Sequence, residues 1–396
     1  MTEHVAPAPL GGRLLTKPTA GLLGILGLAF LLIVWRFATG LGNTTALNDG
    51  YPWGIWIAFD VVTGTALATG GYAMGILVYI LNKGKYHPLV RPAVLTSALG
   101  YTMAGASLVV DTGRPWNFWK VPLFWGQWNV DSVLLEVAVC IMTYVAVLWI
   151  ELMPAICEKV EKDVSLPWLR SLAAKVGKFL DKALVFILAF GVLLPTMHQS
   201  SLGSLMLVAG HKLDPIWLTP FLPLLFLISC IAMGYAIVVF ESCLSASVFG
   251  RKGEEPMLRQ LSRAMVPLVA IYLALRFGDL AVRGQLGRIF TTKLAPFFWL
   301  EIGLFVAALV LILKAPPKVD LGRLMRMGLF LMLAGALYRF DTFLVAFNPG
   351  NGWSYFPAVP ELLITLGFVA AEFLIYLAAV KRFPILGGAH ATASRT

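Results

Sequence analysis

The chain has 396 residues, 59% of them hydrophobic and 13% charged, with a net charge of +10 and a mean hydropathy of +0.80. That composition excludes an ordinary soluble domain and describes a polytopic membrane protein. The lysines and arginines gather in alternate loops, so membrane topology accounts for the positive charge and no nucleic-acid partner is expected.

Residues 1–18 are polar and interrupted by proline, without an apolar core, and read as a cytoplasmic tail rather than a signal peptide. Ten apolar stretches follow, over residues 19–37, 53–81, 89–110, 130–153, 180–209, 216–249, 261–282, 294–313, 324–347 and 359–380. Each reaches the length of about 20 residues that a spanning helix needs. Placing the amino terminus inside puts most of the basic residues, among them Lys83, Lys85, Arg91, Lys159, Arg170, Arg251 and Lys381, in the cytoplasm. The other face receives Arg36, Arg114, Lys120, Lys212, Arg283, Arg288 and Lys293. That bias sets both termini inside.

The expected fold is therefore all-α, with about ten transmembrane helices in one domain over residues 19–384. Two four-helix bundles, 53–209 and 216–347, are flanked by helices 19–37 and 359–383, and residues 385–396 form a second cytoplasmic tail. Residues 154–181, with mixed charges and Pro167, read as a surface amphipathic segment.

Charge inside lipid is costly and marks function by default. In the second helix Gly64, Ala68, Gly71 and Gly75 recur at helical spacing, and Asp60 heads the stripe, so Asp60 should face protein. Trp53 lies roughly 10 Å above it by helical rise, at the outer interface. The third helix repeats the device with Gly100, Ala104, Ser107 and Asp111. Asp111, Arg114, Asp131 and Glu136 gather around the outer ends of helices three and four; Asp111 and Arg114 form a candidate ion pair, and Glu136, which lies deeper, is a candidate proton carrier.

Helix five carries Pro195-Thr196-Met197-His198-Gln199-Ser200-Ser201. Proline removes one backbone donor, so a kink or break is expected just before this polar run. His198 is the one histidine inside a predicted span; His4, His87, His211 and His390 fall in loops or tails, so a bis-histidine haem cannot be built within the membrane. Cys140, Cys157, Cys230 and Cys243 form no C-x-x-C pair, and no iron-sulfur or other metal site is encoded. His198 and Asp60 together suit a substrate that takes up electrons and protons, such as a quinone, whose carbonyl oxygens need hydrogen-bond donors and then two protons.

In the second half Arg276, Asp279 and Arg283 share a helix face, and Arg339 lies close to Asp341. Both sets read as ion pairs holding that bundle together. Glu301, Glu372 and Glu241 lie at successive depths and could form a proton path. The outward loops at 42–52, 115–129 and 348–357 are rich in aromatics, Gly, Pro and Asn and suit a docking platform for another protein.

Four motifs then resemble one family. Asn48-Asp49-Gly50-Tyr51-Pro52-Trp53-Gly54, Tyr86-His87-Pro88-Leu89-Val90-Arg91-Pro92, Pro195-Thr196-Met197-His198-Gln199-Ser200-Ser201 and Phe347-Asn348-Pro349-Gly350 are similar to segments of the NrfD and polysulfide-reductase membrane subunits, nearest the branch that serves hydrogenase-2 type nickel-iron hydrogenases. The resemblance implies a haem-free, quinone-reactive subunit of the bacterial inner membrane. Its partners would be a periplasmic iron-sulfur subunit and the hydrogenase large and small subunits, and its active side would face the periplasm. Electrons from dihydrogen would pass to menaquinone from the quinone pool, with contacts at Asp60, His198, Gln199, Ser200, Ser201, Asp111, Arg114, Asp131 and Trp53, and catalytic proton transfer at His198, Asp60 and Glu136. Competing readings are a subunit of another oxidoreductase of this family, acting on polysulfide or nitrite, and a proton-coupled secondary transporter, which also uses broken helices and buried carboxylates.

Overall fold

The computed structural model describes residues 7–251 and 254–387. Among the described residues ten helices are long and apolar enough to cross a membrane. They are α1 (Lys17–Thr39), α2 (Trp56–Ile80), α3 (Gly84–Asp111), α4 (Val133–Asp163), α5 (Pro167–Lys212), α6 (Leu222–Phe249), α7 (Glu255–Val282), α8 (Ala295–Leu313), α9 (Leu321–Val345) and α10 (Val359–Arg382).

Helices α2 to α5 pack in sequence, with α5 returning to α2, and α6 to α9 close in the same way. The two groups meet where α2 and α5 lie against α6 and where α2 touches α9. Small residues make that seam tight: a side chain at Gly234 of α6 would bring its Cβ to 2.6 Å from the Thr69 carbonyl oxygen of α2. Helix α10 packs on α1 and α3, so it covers the first group instead of standing apart from it.

Both ends of the described chain lie together. Leu10 and Gly11 donate backbone hydrogen bonds to Val380 and Lys381, and Ala8 donates to Leu386. Arg91 of α3 forms an ion pair with Glu158 of α4 and also donates to the Pro384 carbonyl, while Arg251 donates to Gly387. This basic end thus gathers the tail segments, whose outermost residues, including His4 and His390, lie outside the described residues.

The stretch 154–181 is largely exposed beyond residue 160, as expected of a surface amphipathic segment, and is formed by the ends of two spanning helices: α4 runs on through Pro154 to Asp163 and α5 restarts at Pro167, and the two pack along each other. One local expectation is corrected: helix α5 is not broken at Pro195, because its helix is continuous over Pro167–Ala209. The polar run is absorbed locally. Thr196, Ser200 and Ser201 donate their hydroxyls to the carbonyls of Val192, Thr196 and Met197 at 2.7–2.8 Å, the usual back-bonding of hydroxyls in a helix. Irregular backbone falls instead in α2, which is π-helical over Trp56–Thr63 and again over Ile76–Ile80. Wide turns of this kind cluster at functional sites, and the first of them carries Asp60.

Candidate functional site: a lateral cavity with three carboxyl groups

A cavity of about 490 Å³ opens between α2, α3, α6, α9 and α10. Its walls are largely apolar, with Phe59, Leu67, Met103, Phe240, Phe368 and Phe373 among the lining side chains. Gly64 and Ala68 on its wall keep the lining side chains small, and Gly100 lets α3 approach Ala68 of α2, where a Cβ would come to 2.5 Å. Val248 and Phe373 on the rim are 63% and 48% exposed on the outer surface of the helices, so the opening faces sideways, toward lipid.

Three carboxyl groups reach this space: Asp60, Glu241 and Glu372. Asp60 is nearly buried and accepts a hydrogen bond from Thr365 of α10 at 3.0 Å. Glu241 accepts from Thr96 of α3 at 2.7 Å and from Tyr376 of α10 at 2.6 Å. Glu372 stands beside Gly100, where a Cβ would come within 3.5 Å of its oxygen. A long apolar chamber with a few placed polar groups is the usual form of a small-molecule site.

His198 is not part of it. The ring is fully buried, its Nε2 lies 3.2 Å from the Thr65 hydroxyl, and Nδ1 has no partner. Gln199 donates to the same Thr65 oxygen at 3.1 Å and more weakly to Tyr101, and its own oxygen accepts from Arg339 at 3.1 Å. His198 and Asp60, paired in the sequence reading, therefore sit on different sides of α2, joined only through that helix. Ser200 and Ser201 are bonded to their own helix.

The outer group is likewise dispersed. Asp111 does not pair with Arg114: one of its oxygens is buried without a partner, its charged neighbours include Glu361 and Arg36, and Arg36 donates to the Thr112 carbonyl at 2.7 Å. Arg114 and Asp131 are exposed, and Glu136 is half-buried on α4. Trp53 does not line the cavity either. It donates to the Phe343 carbonyl at 2.9 Å and packs on Phe343 and Phe347, pinning α2 to α9.

Of the proposed proton path, Glu241 and Glu372 converge and Glu301 does not. Glu301 is sealed inside α6–α9, where it accepts from Tyr272 at 2.7 Å, Trp217 at 3.3 Å and Arg276 at 3.5 Å. Arg276 thus pairs with Glu301 instead of Asp279, which binds Arg283 at 2.5 Å. Arg339 and Asp341 do not pair: Arg339 crosses the seam to Gln199 and also donates to Ser229 and the Phe226 carbonyl.

Thr365, Thr96 and Tyr376 were missed by the sequence reading. Thr365, Phe368, Glu372 and Tyr376 recur at three- and four-residue spacing along α10, a stripe that was open to inspection but passed over because α10 was read as a flanking helix.

Comparison with known proteins agrees with this architecture. The family described as "Polysulphide reductase, NrfD" matches residues 43–348. The chain is 42% identical to the probable Ni/Fe-hydrogenase 2 b-type cytochrome subunit of Escherichia coli K12, over 96% of this chain and 95% of that one. It is 30% identical to the integral membrane subunit of a menaquinone reductase from Nitratidesulfovibrio vulgaris Hildenborough, over 61% of this chain and 57% of that protein. A selenate reductase subunit from Mesobacillus selenatarsenatis is 20% identical, over 92% of each chain.

The name of the first relative is that of a b-type cytochrome subunit. Among the described residues His87 lies in the 3-10 turn that opens α3 and His211 in the one that ends α5, at opposite ends of the helices, and the buried His198 ring contacts Tyr101 and Thr65. Match length, identity and helical architecture together place the chain in the NrfD, or polysulphide reductase, family of membrane proteins.

Proposed function

We propose that this chain is the haem-free, quinone-reactive membrane subunit of a respiratory nickel-iron hydrogenase complex of the hydrogenase-2 type, and that menaquinone binds in the lateral cavity. One observation carries the reading: a lipid-facing apolar chamber of about 490 Å³ with Asp60, Glu241 and Glu372 reaching into it. An isoprenoid tail needs apolar walls and a side entrance from the bilayer. The quinone headgroup needs a hydrogen-bond donor and, on reduction, two protons.

Asp60 is the first candidate for that work. It sits on the irregular first turns of α2, held by Thr365, and in its acid form offers one proton at the cavity wall. Glu372 and Glu241 lie farther along the same wall and would resupply it. By the positive-inside rule the basic end would face the cytoplasm, which supports a bacterial inner membrane with the active side toward the periplasm. The opposite end, where Trp116, Trp119 and Trp125 are exposed, would then receive the periplasmic iron-sulfur subunit and, with it, the large and small hydrogenase subunits. His198 and Gln199 belong to the polar interior of α2–α5 and would act behind the cavity, without direct contact with the ring, while the half-buried Glu136 at the outer end of α4 would act on protons farther from it.

The test is hydrogen-dependent reduction of a menaquinone analogue by the complex in proteoliposomes. Asp60→Asn is expected to assemble normally and lose turnover, and quinone should be extracted from the wild-type complex. Full turnover by this variant would show that the cavity assignment is wrong.

A further inference from the structure

The second bundle holds a buried charge that the quinone reading leaves without a role. Three ionisable groups meet there, all with essentially no exposure: Arg276 at 1%, Glu301 at 0% and Asp341 at 1%. Their hydrogen bonding is unequal. Glu301 is saturated by the Tyr272 hydroxyl, the Trp217 indole and the Arg276 guanidinium, which is what a carboxylate anion requires. Arg276 gives Nη1 to the Ile216 carbonyl at 2.7 Å and Nη2 to Glu301 at 3.5 Å, while its Nε is buried without a partner, so its ion pair is with Glu301. Asp341 has no such support: both of its carboxyl oxygens are buried without a partner.

The groups facing Asp341 can be named. From α8 there is Glu301 and from α7 Arg276, its two charged neighbours. Asp279 is already neutralised by Arg283. Helix α6 presents Ser229 to Arg339, not to Asp341, and Asp60 of α2 turns into the cavity. One cation thus stands against two carboxyl groups, and Glu301 has claimed it. An ionised Asp341 would be an uncompensated charge in a dry interior, which proteins avoid by neutralising the group. Local backbone sets the residue apart as well, since Asp341 opens a π-helical turn over Asp341–Val345, a feature that recurs at functional positions in helices.

We propose that Asp341 is a reversible proton-binding site of the second bundle, separate from the quinone cavity, in which the fixed Glu301–Arg276 pair keeps the Asp341 carboxyl in its acid form. The exchange is a proton transfer to water entering from the strap end of α9: the carboxyl O–H bond breaks, its electron pair stays on the carboxylate oxygen, and the water takes the proton as hydronium. The site lies at the loop end of α9, next to the strap in which Asp214 donates to Ala346 and Asn348 donates to Lys212. A proton bound there is therefore close to the face opposite the basic end.

This inference does not rest on the quinone reading, and its readout is not turnover. In infrared difference spectra of the full chain in its complex at neutral pH, wild type minus Asp341→Asn should show the carbonyl stretch of one protonated carboxylic acid, shifting in heavy water. Glu301→Gln supplies a second and independent test. With its partner neutral, Arg276 becomes available to Asp341, so the same band should disappear at neutral pH although Asp341 is intact. Absence of a carboxylic-acid band from the first difference spectrum would overturn the proposal, and so would persistence of the band in Glu301→Gln. Stabilisation of the wild type by sodium or potassium ions that is lost in Asp341→Asn would also overturn it, in favour of a metal-cation site.

Discussion

The lateral cavity and the interior of the second bundle both bury acidic side chains, and they do so in opposite ways. Around the cavity, Asp60, Glu241 and Glu372 have few donors, form no ion pair among the described residues and stand beside an opening toward lipid. Within α6–α9, Glu301 is ringed by three donors, one of them a guanidinium, and aromatic rings from Trp217, Tyr272, Phe298 and Tyr338 close over Arg276 or Glu301. A saturated pair of that kind fixes an arrangement. Under-coordinated acids beside a chamber are free to exchange protons with what enters it.

That contrast can be attacked at several points. The largest effect should come from neither region but from the seam that places them: Gly234→Leu drives a side chain into the Thr69 carbonyl of α2, and no assembled complex is expected on size-exclusion chromatography. Next, Arg276→Met leaves Glu301 buried without its cation, which should cost about 3–5 kcal/mol of stability in thermal or denaturant unfolding. Replacing Glu301 by Gln in the same chain should restore part of that loss. If the single variant melts like wild type, the second bundle is not held by this pair.

On the cavity side, Asp60→Asn is expected to melt like wild type and to lose roughly a hundredfold in quinone-dependent turnover, the usual scale for a lost acid-base group. Glu241→Gln keeps the hydrogen bonds from Thr96 and Tyr376 within reach, so its deficit should be smaller, about tenfold, and should appear as slowed proton uptake. An effect on melting with no effect on turnover would make the cavity acids structural and erase the distinction. The smallest change is expected for Trp53→Phe, which removes one hydrogen bond to Phe343 and should cost about 1 kcal/mol.

Much of this fold could be read from the residues alone, because lipid imposes simple demands: ten apolar runs of spanning length gave ten such helices among the described residues, and Gly71 and Gly100 of the small-residue stripes lie at close helix contacts. The site was less legible. Asp60 facing protein followed from its stripe, whereas its pairing with His198 rested on chemistry alone, and Thr65 takes the imidazole to another side of α2. Pro195 drew attention to α5, yet serine and threonine hydroxyls satisfy that helix internally, and the irregular backbone belongs to α2. Ion-pair choice was the least accessible feature. Arg276 reaches Glu301 across a helix interface and Arg339 reaches Gln199 across the seam, and neither distance is encoded by spacing along one helix.

Arg339 bears on how this molecule can move. A side chain rooted in α9 holds Gln199 of α5 while Thr69 of α2 holds the Cys230 carbonyl of α6 and Trp53 grips Phe343. Rocking one half against the other, as an alternating-access carrier must, would rupture several desolvated bonds in a single stroke. A protein stitched in this way is suited to standing still, and the proposed quinone site asks only that smaller things, hydrogen nuclei and a lipid-soluble ring, move past a fixed frame.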